Sequence, residues 1–144
     1  MTITYEELTE NIKSSGLKAT QQRLEILKFV TESKIHPDAK EVYENLKSKM
    51  PSISLDTVYR TLWLLAKNGL ITTVGFPFER AKFDGNLKPH HHFICTVCGT
   101  IYDIYDEQMD RLPVPDSINN IGEVSTTQVE IKGICKKCRN INLN

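Results

Sequence analysis

The stretch Ser54-Leu55-Asp56-Thr57-Val58-Tyr59-Arg60-Thr61-Leu62-Trp63-Leu64-Leu65-Ala66-Lys67-Asn68-Gly69 decides how the first half of this 144-residue chain is read. A serine suited to cap a helix opens it and an Asn-Gly pair closes it. At about 100° per residue, Leu55, Val58, Leu62, Leu65 and Ala66 share one arc, and this arc faces a core. Asp56, Thr57, Arg60, Trp63, Leu64 and Lys67 occupy the other, with Tyr59 at its margin. An aromatic, a leucine and two cations do not make an ordinary solvated face. Either Trp63 and Leu64 pack on a neighbouring element, or the arc meets a partner.

Toward the N-terminus the pattern stays helical. Residues 4–15 carry Leu8 and Ile12 as a short apolar stripe and stop at Ser14-Ser15-Gly16. Thr20 is placed to cap a second helix with Leu24, Ile26, Leu27 and Val30 buried. Ile35-His36-Pro37-Asp38 breaks it, since proline and its predecessor both resist helix. A third helix follows over about residues 39–49, with Val42, Tyr43 and Leu46 inward. Toward the C-terminus, Leu70 to Val74 and Arg80 to Phe83 read as β-runs around Gly75-Phe76-Pro77-Phe78. Helices followed by such a hairpin form the pattern of a winged helix, a helix-turn-helix variant.

Asp84-Gly85-Asn86-Leu87-Lys88-Pro89 is turn-rich and marks a boundary. The expected layout is α+β: a winged-helix domain over residues 1–83, a hinge over 84–89 and a smaller domain over 90–144. In the latter, Phe93-Ile94-Cys95 and Thr100 to Tyr105 read as strands, Asp106 to Leu112 as a helix, and Glu123 to Ile131 as the longest strand. So few elements make a thin core, and both a metal staple and a partner subunit are expected.

Charge identifies no partner. Residues 1–85 hold 12 Lys and Arg against 11 Asp and Glu, and residues 86–144 hold 6 against 7. Any nucleic-acid contact must come from where particular basic residues sit. The N-terminal residues lack the pattern of a signal peptide and no apolar run approaches the ~20 residues of a membrane span. A cytoplasmic location without membrane contact is expected, where cysteines more often bind metal than form disulfides.

The chemistry concentrates in Pro89-His90-His91-His92-Phe93-Ile94-Cys95-Thr96-Val97-Cys98, which holds three of the four histidines and two of the four cysteines. Cys95-x-x-Cys98 and Cys135-x-x-Cys138 are two knuckles whose thiolates suit one tetrahedral metal, structural Zn(II). The 36 residues between them are a longer gap than in compact zinc ribbons, so the site ties the tail back to the first strand. A closed four-thiolate shell holds structure and leaves no position for chemistry. Redox disulfides are the alternative, but thioredoxin-like motifs open a helix in a βαβ unit, a pattern not read here.

His90 and His92, one residue apart on a strand, point to the same side and His91 to the other. Asp84 lies just upstream and Asp103 on the next strand, while His36 ends a helix of the first domain. Three imidazoles and two carboxylates suit Fe(II), Mn(II) or Zn(II), with a position left for a small molecule. The alternative is a solvated His-rich loop. His91 is expected to be an exposed non-ligand.

The chain resembles the ferric uptake regulator family of metal-dependent repressors over essentially its whole length. The residues that carry the resemblance are Thr20-x-x-Arg23, His36-Pro37, Thr57-Val58-Tyr59-Arg60-Thr61-Leu62 with Gly69-Leu70, His90-x-His92-x-x-Cys95-x-x-Cys98-Gly99, and Cys135-x-x-Cys138. It is most similar to the peroxide-responsive branch, whose three histidines and two aspartates are matched by His36, Asp84, His90, His92 and Asp103. Asp103 discriminates, since iron-responsive relatives usually carry Glu there. Ser125-Thr126-Thr127 stand where many relatives carry a further histidine pair, so a third metal site is not expected. Gln21 or Gln22 stands where the family commonly has proline after the capping threonine.

The resemblance implies a homodimer whose winged helices read a palindromic operator in double-stranded DNA, with Lys18, Arg23, Thr57, Tyr59, Arg60 and Lys67 at positions that approach it. It implies a regulatory Fe(II) or Mn(II) that sets the hinge. With Fe(II), hydrogen peroxide would oxidise His36 or His90 and release the DNA. The sensor is consumed, so no enzyme is expected. An iron-level repressor of the same family is the near rival. A metallo-hydrolase is a distant one, lacking any His-Glu-x-x-His or similar motif.

Overall fold

Short polar side chains set the helix starts by satisfying the first backbone N–H groups. The computed structural model describes residues 3–75 and 80–142, and places α1 at Tyr5–Ser14, α2 at Gln21–Glu32, α3 at Ala39–Leu46 and α4 at Leu55–Lys67. Thr4 and Asp38 accept hydrogen bonds from the N–H groups of Glu7 and Glu41, whose carboxylates accept in return from the cap N–H groups. Thr20 and Ser54 cap α2 and α4 by accepting from the Arg23 and Thr57 N–H groups, so α2 starts well without proline. Gly69, at φ 75°, follows α4 in the left-handed conformation that glycine adopts without strain.

The chain divides into two compact units, Met1–Leu87 and Lys88–Asn144. In the first, Leu8 and Ile12 pack with Ile26, Leu27 and Val30 of α2, Val42 and Leu46 of α3, and Val58, Leu62 and Leu65 of α4. One expectation for α4 needs correction, and one buried residue was not anticipated. Leu55 is 45% exposed, because it sits in the first turn outside this cluster, whereas Thr61 is buried. Strands β1, Thr72–Gly75, and β2, Ala81–Asp84, pair antiparallel with Thr73 opposite Phe83 and Thr72 opposite Asp84. The Phe76-Pro77-Phe78 turn expected between them lies outside the described residues.

The core of this unit also holds a carboxylate that the apolar pattern of α2 did not reveal. Glu25 is 3% exposed. Its Oε1 accepts from the Tyr5 hydroxyl at 2.6 Å and the Gln21 amide at 3.0 Å, and its Oε2 lies 3.0 Å from Lys49 Nζ. One side chain thereby joins α1, α2 and the segment after α3. Burial alone would raise its pKa, but the bonds from Tyr5 and Lys49 outweigh this and hold it below the usual value. A depressed carboxyl stabilises the fold above its unfolded pKa and loses that contribution as pH falls through the folded value. Glu25→Gln is therefore expected to cost about 1–2 kcal/mol in urea unfolding at pH 7, with the difference shrinking below about pH 4. A difference independent of pH would contradict this.

In the second unit, β3 (His91–Cys95) is central, flanked by antiparallel β4 (Ile101–Ile104) and parallel β5 (Glu130–Gly133). The parallel pair requires a crossover, and it contains α5 (Glu107–Asp110) and a 3₁₀ turn (Asp116–Asn120). Helix α6, Lys136–Asn142, follows β5. The long strand expected over residues 123–131 is confined to its last two residues and two more beyond them. The preceding residues alternate without a buried face: Val124 is 50% exposed. Among the described residues, no helix is long and apolar enough to cross a membrane.

Candidate metal centres

The period of two along β3 separates two kinds of chemistry. His91, Phe93 and Cys95 project to one face and His92 and Ile94 to the other. Cys95, Cys135 and Cys138 form a buried cluster with Phe93 against it. Gly133 makes room for that ring: a Cβ there would lie 3.1 Å from Phe93 Cζ.

All four sulfurs lie within 4.8 Å of one another, and Cys98 Sγ is 3.9 Å from Cys135 Sγ. Zinc–sulfur bonds of 2.3 Å directed to a tetrahedron put the sulfurs about 3.8 Å apart, so the cluster has the dimensions of a four-thiolate Zn(II) site. Its electrostatics agree. The Cys135 and Cys98 backbone N–H groups point at Cys95 Sγ and lower its pKa to about 6. Burial first, and the neighbouring sulfurs second, push Cys138 up to about 12. Four thiolates this close need a dication between them. One correction applies: Cys135-Lys136-Lys137-Cys138 does open a helix, α6, although among the described residues no strand follows it to make a βαβ unit.

On the opposite face, His92 pairs in register with Asp103 of β4. Asp103 Oδ1 lies 3.4 Å from His92 Nε2 and 3.9 Å from His90 Nε2, and the two rings meet edge to face at 4.7 Å. His90 Nδ1 is 2.6 Å from the Lys88 carbonyl, which only accepts. Nδ1 therefore carries the proton, and Nε2 carries the lone pair that a metal needs. Tyr105 stacks on the His90 ring at 5.9 Å.

His91 has the opposite wiring. It is 2% exposed, which corrects the expectation of an exposed ring. Its Nδ1 accepts from the Val129 N–H at 3.0 Å, and its Nε2–H donates to Asp110 Oδ1 at 2.8 Å. Both nitrogens are used to tie β3 to the residue before β5 and to α5. The sequence offered no signal for this, since Asp110 lies 19 residues away.

In the first unit, His36 and Asp84 are both buried, with His36 Nε2 3.5 Å from Asp84 Oδ2. Asp84, placed in the hinge by the turn-rich sequence, is the last residue of β2, and its Oδ1 accepts from the Asn86 N–H at 2.9 Å. His36 is the one described non-glycine residue with positive φ, at 52°. That conformation costs of order 1–3 kcal/mol, and such strain gathers at functional sites. On α4, Asp56, Arg60 and Lys67 are exposed and Thr57 and Tyr59 half-buried. Arg60 Nε bonds Asp56 at 3.1 Å, and Arg23 Nη1 donates to the Lys18 carbonyl at 2.8 Å.

The model of the ferric uptake regulator family matches residues 14–132. The chain belongs to this family. It is accordingly a metal-responsive transcriptional repressor, with a winged-helix N-terminal unit and a C-terminal dimerisation domain. Two relatives in this ferric uptake regulator family are the peroxide-responsive repressor of Staphylococcus epidermidis, 31% identical over 134 residues (93% of this chain, 89% of the relative), and the peroxide operon regulator of Bacillus subtilis, 32% identical over 132 residues (92% and 91%). The ferric uptake regulator of Francisella tularensis, solved with iron, superposes with a TM-score of 0.68 at 27% identity, covering 86% of this chain and 96% of that one.

Proposed function

We propose that this repressor controls peroxide-stress genes, holding its operator when a regulatory metal is bound and releasing it when hydrogen peroxide oxidises a ligand histidine. The observation that carries the reading is the donor set of the second unit. His90 presents its Nε2 lone pair, and Asp103 stands opposite His92 as the short acidic side chain. The names of the staphylococcal and Bacillus relatives support the same reading.

His36 and Asp84 from the first unit, with His90, His92 and Asp103 from the second, would hold the regulatory ion. Three nitrogens and two carboxylates without sulfur fit Fe(II) or Mn(II). Bound Fe(II) supplies the electrons that reduce peroxide, whereas Mn(II), a poorer reductant, supports repression alone. The Lys88 carbonyl fixes the His90 tautomer, and the Asp103 carboxylate lies beside the Nε2 atoms of His90 and His92, so that all three would present donor atoms to one cation. Oxygen added to the His36 or His90 ring weakens that donor, and the tie to the first unit loosens. Cys95, Cys98, Cys135 and Cys138 hold Zn(II) throughout. In the homodimer, Lys18, Arg23, Thr57, Tyr59, Arg60 and Lys67 address the two halves of a palindromic operator.

The iron solved in the Francisella regulator favours one second reading, a repressor of iron-uptake genes that answers to Fe(II) level. Limiting peroxide applied to the Fe(II)-loaded protein, followed by peptide mass spectrometry and an operator-binding assay, separates the two. Sensing predicts one added oxygen on His36 or His90 and lost binding, with the Mn(II) form unaffected. Asp103→Glu should cut that oxidation roughly tenfold or more, the scale on which changes around a metal ligand act. Unmodified histidines with intact operator binding would leave the iron-level reading.

A further inference from the structure

Resting on that reading, we infer that Trp63 and Phe83 are positioning residues through which the metal ligands of the first unit set helix α4. The contacts form one packed chain inside this unit. His36 Nε2 lies 3.5 Å from Asp84 Oδ2, and each residue is the immediate neighbour of one partner in a hydrogen bond: the Phe83 N–H donates to the Pro37 carbonyl at 2.9 Å. Asp38, which caps α3, bridges to Lys82 beside it. The loop carrying His36 and the strand carrying Asp84 thus behave as one ribbon. Pro37 and Phe83 in that ribbon are fully buried.

The far side of Phe83 meets α4. Its ring takes the edge of Trp63 at 5.7 Å and 79°, and Trp63 in turn meets Tyr59 at 6.2 Å and 66°. Tyr59 and its neighbour Arg60 stand on the arc of α4 assigned to DNA. The sequence raised two readings of that arc, and Trp63 joins them: it packs inward, and what it packs against is the strand of the metal ligand.

Two further features suit this chain to transmit a change. A residue at positive φ, His36, stands at its origin, so backbone strain is stored where the metal ligand sits. Close-packed side chains repack between discrete arrangements rather than deform smoothly. The Trp63 Nε1–H is buried with no hydrogen-bond partner among the described residues, so the indole is held by packing, which includes these ring contacts. A ligand that favours one position of His36 and Asp84 therefore biases α4 through the two rings.

The experiment uses the full chain with its zinc site loaded and Mn(II) as the probe metal. It reads amide exchange of residues 55–67, Mn(II) affinity and operator affinity for wild type, Trp63→Phe and Trp63→Leu. In wild type and Trp63→Phe, which keeps a ring and forfeits no hydrogen bond, Mn(II) is expected to raise α4 protection and operator affinity alike. In Trp63→Leu the Mn(II) affinity should stay within about threefold, while the metal-induced gain in operator affinity falls roughly tenfold and the gain in α4 protection disappears, a loss within the usual range of coupling energies. Full gains in a Trp63→Leu protein that binds Mn(II) normally would overturn the inference and leave the repressor reading intact. So would an α4 in wild type that ignores Mn(II) while operator binding responds. A Trp63→Leu loss accompanied by an equal loss in Trp63→Phe would show general damage and equally overturn it. Absence of any Mn(II) effect on operator binding in wild type would remove the repressor reading and this inference together.

Discussion

Cys95→Ser is expected to abolish zinc retention and to unfold the second unit while the first keeps its helices. Cys95 is the innermost of the four sulfurs, fully buried on β3, and receives the backbone N–H groups of Cys98 and Cys135. A serine hydroxyl does not ionise at neutral pH and cannot replace the thiolate. The unit has little else to hold it: outside the cysteines, Ile94 and Ile101 are the buried aliphatic side chains among its described residues. Structural Zn(II) sites supply about 10–16 kcal/mol of apparent folding free energy at pH 7, as much as the whole stability of an ordinary domain. Metal analysis should show loss of one zinc per chain. Hydrogen exchange should show β3, β4 and β5 losing protection while α1 to α4 retain theirs. Protected β3 amides in a zinc-free variant would refute a structural role for the cluster. Because the thiols lose protons on binding, zinc affinity should also fall as pH is lowered.

Gly85→Ala is the second change with a large expected effect, although it removes no contact. A Cβ at Gly85 would stand 2.6 Å from Thr31 Cα, 2.9 Å from Thr31 N and 3.0 Å from the Val30 carbonyl oxygen. All three are backbone atoms near the end of α2, so no side-chain rotation relieves the overlap. Either β2 moves off α2 or the helix end yields, at a cost of about 3 kcal/mol on the scale of overpacked sites. Asp84 is the preceding residue, so regulatory-metal affinity should fall with stability. Gly122→Ala is the control: nothing lies within 4 Å of its Cβ, and its unfolding free energy should be that of the wild type within about 0.5 kcal/mol. An equally small effect at Gly85 would show that β2 has slack against α2.

The winged-helix half was legible because its signals are local. Thr20 and Ser54 announce helix starts, and the spacing of Val58, Leu62 and Leu65 announces a buried stripe. Thr4-x-x-Glu7 and Asp38-x-x-Glu41 were readable as capping boxes too, from spacing alone. The second half was read less well. Its strand over 123–131 was overdrawn because alternation describes a half-buried strand, and the partner β3 is only five residues long. Glu25 escaped because burial of a charge depends on Tyr5 and Lys49, which arrive from other segments.

The sequence by itself determined which residue types could bind metal, and that His90 and His92 share a side which His91 does not. Ligand identity and strand periodicity are properties of the local chain. Tertiary structure alone decided what each ring is wired to. The Lys88 carbonyl leaves His90 a lone pair on Nε2, while Val129 and Asp110 engage both nitrogens of His91 and bury it. The same holds for Trp63, whose place on α4 was plain but whose neighbour Phe83 is brought to it only by the fold. Hydrogen bonds and ring contacts between distant segments fix tautomers and side-chain packing, and their partners lie too far apart in the chain for any local pattern to record.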